Sequence, residues 1–145
     1  MTLEQILKEW EKDAVIDKTK LNSESLNSDN LHCKYLRELS NANMMREKKR
    51  TEYNKVVCDR FIYYTEGVKT MPTKEDMKKM PRGAILKSEA DRYVQADEDV
   101  IAITLELALA QEKCNTLKSI LDTIARRSYI IGNANTFNKF MAGEK

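Results

Sequence analysis

The stretch Asp97-Glu98-Asp99-Val100-Ile101-Ala102-Ile103-Thr104-Leu105-Glu106-Leu107-Ala108-Leu109-Ala110, continued to Arg127, decides the fold. Val100, Ile103, Leu107, Ala110, Cys114, Leu117, Leu121 and Ile124 recur at alternating steps of three and four, the seam of a coiled coil or helix bundle. Asp97 predicts the N-cap, Glu98 and Asp99 put negative charge on the first turn, and Arg126 and Arg127 suit the opposite pole of the macrodipole. Ile101, Leu105, Ala108 and Leu109 add a second apolar flank, with Glu106 the only charge between Val100 and Ala110. A small monomer would struggle to cover that surface, so self-association is expected. Gly132 reads as a helix stop, after which Asn133 or Asn135 caps a short terminal helix carrying Phe137, Phe140 and Met141, an aromatic knob with nothing in its own chain to fill. The candidate self-association residues are Val100, Ile101, Leu105, Leu107, Leu109, Leu121, Ile124, Tyr129, Ile130, Phe137 and Phe140.

Outward from this helix the chain has little turn chemistry. Only four Gly and two Pro occur in 145 residues, and four of these six fall between Gly67 and Gly83. A β-rich fold would lack its turns, so the expectation is all-α: long antiparallel helices in a bundle or coiled-coil-like hairpin. Thr2-Leu3-Glu4-Gln5 has capping-box spacing and predicts a short helix to about Asp13. Asp17 then caps a second helix in which Leu21, Leu31, Tyr35, Leu39, Ala42 and Met45, followed by Tyr53, Val57, Phe61 and Tyr64, keep helical spacing. Nearly fifty residues at 1.5 Å each give about 75 Å, too long for a helix that does not pack on another long helix, bend, or extend to other subunits. In the loop, Thr73 and Asp76 predict a short helical turn ending before Pro81. The expected organisation is one domain: residues 1–66 as helices with a basic face, 67–96 as loop and short turns, 97–145 as helices for self-association.

Lys plus Arg number 25 and Asp plus Glu 23, a net charge of +2 that excludes both acidic-tail and histone-like chains. At 41% hydrophobic residues the chain can bury a core. No apolar run is long enough to span a bilayer and none resembles a signal peptide, so a soluble intracellular protein is expected. Cys33, Cys58 and Cys114 are odd in number and widely spaced, which points to thiols rather than a disulfide framework. Charge is uneven: Met1 to Cys33 carries four basic and seven acidic residues, Lys34 to Arg92 fifteen and nine, Tyr93 to Lys145 six and seven.

The densest basic segment, Arg46-Glu47-Lys48-Lys49-Arg50, opens a helical face on which Arg46, Lys49, Arg50, Tyr53, Val57, Arg60 and Tyr64 alternate cations with rings. Such a face suits single-stranded nucleic acid, because cations track phosphates and a ring stacks on any base. The plainer alternative makes Tyr53, Val57 and Tyr64 core, with the basic stems lying along the helix and their heads in water.

Catalysis finds little support. His32, the single histidine, adjoins Cys33, but consecutive helical residues point about 100° apart and make poor joint ligands. Asp97-Glu98-Asp99 is explained by a helix start, EF-hand spacing is absent, and no glycine loop cradles phosphate. No enzyme, metal or cofactor is expected. A structural coiled-coil or scaffold oligomer without nucleic-acid binding stays open as the rival, since the seam alone would account for it.

The strings Asp13-Ala14-Val15-Ile16-Asp17-Lys18-Thr19-Lys20-Leu21, Arg60-Phe61-Ile62-Tyr63-Tyr64, Ala96-Asp97-Glu98-Asp99-Val100 and Met141-Ala142-Gly143, in this order over nearly the whole chain, resemble the UvsY family of recombination mediators in T-even-type phages. The resemblance implies a non-enzymatic factor that binds single-stranded DNA and contacts the phage single-strand-binding protein and the phage recombinase. It also implies a ring-like homo-oligomer of six or seven subunits joined through the C-terminal region, working in the cytoplasm of the infected bacterial host. DNA binding is attributed in the family to the basic cluster before the Tyr-Tyr pair. Here Arg60 matches one such position, Cys58 stands where a lysine is expected, and Lys55 and Arg50 are placed to compensate. The candidate DNA-binding residues are Arg46, Lys48, Lys49, Arg50, Tyr53, Lys55, Arg60 and Tyr64.

Overall fold

A computed structural model describes residues 1–66 and 87–143, and these form four α-helices: α1 (Leu3–Asp13), α2 (Leu21–Glu66), α3 (Lys87–Ala96) and α4 (Glu98–Met141). The turn expected at Thr73 to Asp76 lies outside the described residues. The chain divides into two compact units, Met1–Met44 with Glu112–Lys145, and Met45–Gln111. The two long helices, α2 with 46 residues and α4 with 44, contribute to both.

In the first unit α1 begins with the expected capping box. The Gln5 amide donates to Thr2 Oγ1 at 3.2 Å and the Thr2 amide to Gln5 Oε1 at 2.8 Å, satisfying two orphan donors. This places Ile6, fully buried, against Leu31, Tyr35 and Ala42 of α2 and Cys114, Leu117, Ile120 and Ile124 of α4. Trp10, Leu39 and Leu121 close the rim of this cluster, and the Trp10 ring meets Tyr35 edge-on at 5.5 Å. Burial of each large aliphatic side chain here contributes roughly 1.5–3 kcal/mol. The seam therefore packs as a core from Cys114 onward, sharing the step after Leu117 between Ile120 and Leu121.

Polar contacts lock α1 onto α2. Asp13 Oδ2 accepts from Lys34 Nζ at 2.6 Å and from the Tyr35 hydroxyl at 2.8 Å, and Glu9 accepts from Lys34 at 3.1 Å. Burial pushes the Asp13 carboxyl up, but hydrogen bonds from Lys34 and Tyr35 and the charges of Lys34 and Arg127 outweigh it and hold the group below its ordinary value. A carboxyl depressed in the fold lends stability above its unfolded pKa, about 3.9, and loses it as pH falls through the folded value. Asp13→Asn is therefore expected to cost more stability at pH 7 than at about pH 2, where protonation has removed part of the carboxylate's contribution. Urea midpoints at the two pH values check this, and equal losses at both would refute it.

Three local expectations are corrected. Asp17 does not cap α2: its Oδ1 accepts from the amide and hydroxyl of Thr19 at 2.9 and 2.6 Å, forming a tight turn, and the helix starts at Leu21. Arg126 and Arg127 do not end a helix, and Gly132 does not stop one. Helix α4 runs through all three because glycine inside a helix costs only about 1 kcal/mol against alanine, while Arg127 and Ile131 are buried and hold that turn in place. Gly143 is the stop: at φ 78° it takes the left-handed conformation that favours glycine, and its amide donates to Phe140 O at 3.1 Å. The separate terminal helix expected after Gly132 is accordingly the last two and a half turns of α4.

In the second unit the end of α2 lies antiparallel to the start of α4, and α3 packs beside them through Ala90 and Val94, one turn apart and both buried. The sequence predicts only short turns as far as residue 96, but the i, i+4 pair gives α3 an apolar stripe that ten residues suffice to bury. Asp97 is the expected cap of α4: its Oδ1 accepts from the Asp99 amide at 2.9 Å and the Val100 amide at 3.4 Å.

Candidate nucleic-acid interface

The second half of α2 puts its expected basic face against α4. Lys49 Nζ reaches Glu106 at 2.8 Å and Glu52 at 3.0 Å. Arg60 pairs with Asp99 and lies 3.7 Å from the buried cap Asp97. Tyr64 donates its hydroxyl to Asp97 Oδ2 at 2.8 Å, and Tyr53 and Val57 are half-buried beside them. The face thus has the buried-ring, paired-cation character of the plainer alternative along its centre. Hydrogen bonds to Glu106 and Glu52 raise the Lys49 ammonium above its ordinary value. The Tyr64 hydroxyl is pushed up to about 12, first by burial and then by its hydrogen bond to the Asp97 carboxylate, so it stays protonated at neutral pH.

The remaining cations are differently placed. Arg46 pairs with Glu47 at 3.2 Å, and Arg50, half exposed, approaches the same carboxylate at 3.5 Å. Exposed pairs of this kind contribute little and exchange readily with another anion. Lys48 and Lys55 are exposed and make no ion pair among the described residues. Seven residues apart, they share a side of α2 different from that of Lys49 and Arg60. The structure therefore brings Lys49, Tyr53, Arg60 and Tyr64 together with α4 and separates Lys48 and Lys55 from them. Cys58, at the position where the resemblance expects a lysine, is exposed.

Sequence reasoning missed a ring. Tyr93 of α3 stacks on Tyr64 with centroids 5.8 Å apart, Tyr64 meets Tyr63 edge-on at 5.1 Å, and the Arg60 guanidinium sits 5.3 Å from the Tyr63 ring. The sequence signals it only by an aromatic beside Arg92 in a short segment, and the helix that orients it depends on the burial of Ala90 and Val94.

The self-association candidates divide. Val100 and Ile124 are buried in the cores of their own units, and Leu107 and Leu121 are half-buried. Ile101, Leu105 and Leu109 stand four residues apart on one exposed face of the second unit. Tyr129, Ile130, Phe137 and Phe140 are exposed on the last turns of α4 in the first. Among the described residues no group of three His, Cys, Asp or Glu is placed to hold a metal, and no helix is long and apolar enough to cross a membrane. His32 and Cys33 are both exposed.

A family model described as "Recombination, repair and ssDNA binding protein UvsY" matches residues 9–144. The recombination protein uvsY of Enterobacteria phage T4 is 29% identical over 146 residues, 99% of this chain and 100% of that protein. Crystal structures of the bacteriophage T4 recombination mediator protein UvsY share the fold. Lattice type II superposes with a TM-score of 0.81 at 25% identity over 98% of both chains. Lattice type IV gives 0.80 at 24% identity, covering 97% of this chain and 99% of that one.

Proposed function

The chain belongs to the UvsY family of recombination, repair and single-stranded-DNA-binding proteins, and from that premise we propose that it is a non-enzymatic mediator of phage homologous recombination. In this reading it binds and wraps single-stranded DNA, helps displace the phage single-strand-binding protein, and loads the phage recombinase into the presynaptic filament in the cytoplasm of the infected host. It works as a ring-like homo-oligomer of six or seven subunits, held through the exposed Ile101, Leu105 and Leu109 and the exposed rings at the end of α4.

The observation that carries the reading is the basic second half of α2, where Lys48 and Lys55 stand exposed without ion pairs among the described residues. They supply the first phosphate contacts. Arg46, Lys49, Arg50 and Arg60 join by exchanging carboxylates for phosphates, a swap of one anion for another that leaves each cation paired. Each subunit then offers only a few contacts, but a ring repeats them, so a strand crossing several subunits is held far more tightly than by one. Tyr53 and Tyr64 act in this scheme by holding the basic helix against α4. A strand bent around the ring sheds the binding protein and offers its backbone to the recombinase, assembly without bond chemistry.

Fluorescence anisotropy of a labelled mixed-sequence strand, with the matching duplex as control, tests this. Binding should prefer the single strand and weaken with salt at about 0.7 in log–log slope per phosphate engaged. Lys48→Ala with Lys55→Ala should lower that slope by roughly 1.4 for each subunit contacted, while light scattering reports an unchanged mass. Binding that ignores salt would overturn the assignment and leave an oligomeric scaffold, and a double variant with the native slope would remove Lys48 and Lys55 from the phosphate contacts.

A further inference from the structure

We propose that the recess on α3 lined by Glu89, Arg92, Tyr93 and Ala96 is a nucleotide subsite for single-stranded DNA, where an unpaired base stacks on the outward face of Tyr93 and a phosphate pairs with Arg92; the inference rests on the single-strand-binding reading above. These four residues stand at i, i+3, i+4 and i+7, one face of α3, beside an open surface hollow of about 430 Å³. The Tyr93 side chain is 41% exposed although it belongs to a cluster of three rings. One face is occupied by Tyr64, 5.8 Å away and tilted by 34°. Tyr64 in turn is held by its hydroxyl on Asp97 at 2.8 Å and by the edge of Tyr63. A ring braced from behind in this way gives up little rotamer freedom when a base lands on it, which is what a stacking platform requires.

The charges fit the same ligand. Arg92 is exposed and has no ion pair among the described residues, so its guanidinium is open to a phosphate. Glu89, on the same recess, repels phosphate and confines it to the Arg92 side, while its carboxylate can accept from an exocyclic amine of a base. A duplex keeps its bases stacked and paired, so only a single strand can use the ring. Phosphate contacts alone would make the chain a charge-driven binder, and Tyr93 would add a contribution that salt does not remove.

The test uses full-length protein and two strands of about six nucleotides, one of thymidines and one abasic with the same backbone, compared by anisotropy at fixed salt. The native chain should bind the thymidine strand roughly fivefold to a hundredfold more tightly than the abasic one. Tyr93→Leu should lose most of that ratio while keeping its affinity for the abasic strand and its mass by light scattering. Tyr93→Trp should keep the ratio, and its fluorescence above the Trp10 baseline should be quenched by the thymidine strand and not by the abasic one. A native ratio near one, an undiminished ratio in Tyr93→Leu, or an indole blind to a strand that binds would overturn the subsite and leave phosphate binding intact. No binding of either strand, nor of a thymidine strand long enough to cross several subunits, would overturn the single-strand reading itself.

Discussion

Leu117→Ala lowers the stability of the chain by about 3 kcal/mol, the loss expected when a fully buried leucine is truncated inside a packed helical core. Leu117 lies among Ile6, Leu31, Tyr35, Ala42, Cys114, Ile120 and Ile124, contributed by three helices, so no single side chain can move in to fill the space. Methyl groups removed from such a site cost their transfer free energy and the cavity they leave. For a chain of this length the melting midpoint should fall by roughly 10 °C. Leu36→Ala, on an exposed face of α2 in the same unit, serves as control and should change stability by less than about 1 kcal/mol. Both are measured by chemical denaturation at one protein concentration, because oligomerisation makes midpoints concentration-dependent. Equal losses for the two variants would contradict the placement of the core.

Arg127→Ala should be comparably damaging for a different reason. The Arg127 side chain is buried in the middle of α4, pairs with Glu24 of α2, and donates through Nη1 to the Asp13 carbonyl at 3.2 Å. Its removal strands a half-buried carboxylate and an orphaned carbonyl where solvent reaches poorly. Loss of one partner from a buried pair typically costs 3–5 kcal/mol, and the partial exposure of Glu24 puts the expectation near the low end, about 3 kcal/mol. The Arg127 Nε has no hydrogen-bond partner among the described residues and is itself buried, so the pair already carries a desolvation cost. Replacing both members by apolar residues, Arg127→Met with Glu24→Leu, should therefore recover most of what the single change loses. A double-mutant cycle by denaturant unfolding measures the coupling. A coupling energy near zero would mean that Arg127 acts only through the packing of its stem.

These outcomes also mark the boundary between what was legible in the sequence and what was not. Thr2 with Gln5 and Asp97 with Val100 announce their helix starts because capping is settled within four residues. The seam through Cys114, Leu117 and Ile124 and the length of α2 follow from periodicity and from the lack of glycine and proline, again properties of neighbours along the chain. Gly132 misleads for the same reason. Its local stop signal is worth about 1 kcal/mol, and the burial of Arg127 and Ile131, which no local pattern announces, outweighs it.

The candidate site was legible in composition and not in geometry. That the second half of α2 is basic and ringed is plain from Arg46 to Tyr64. Which of its cations stay open to a ligand depends on the register of the antiparallel partner, and register is a long-range property. Lys49 finds Glu106 57 positions away, Arg60 finds Asp99 39 away, and in the other unit Arg127 finds Glu24 at a separation of 103. Lys48 and Lys55 stay exposed because they stand on another side of the same helix. Tyr93 becomes part of a ring cluster only because α3 returns to Tyr64. Helix formation, capping and amphipathic pattern are decided by residues within a turn or two of one another, so the sequence by itself determined an all-α chain with two long helices and a basic half. Charge pairing and aromatic stacking are decided by which surfaces meet, and only the tertiary structure brought those surfaces together.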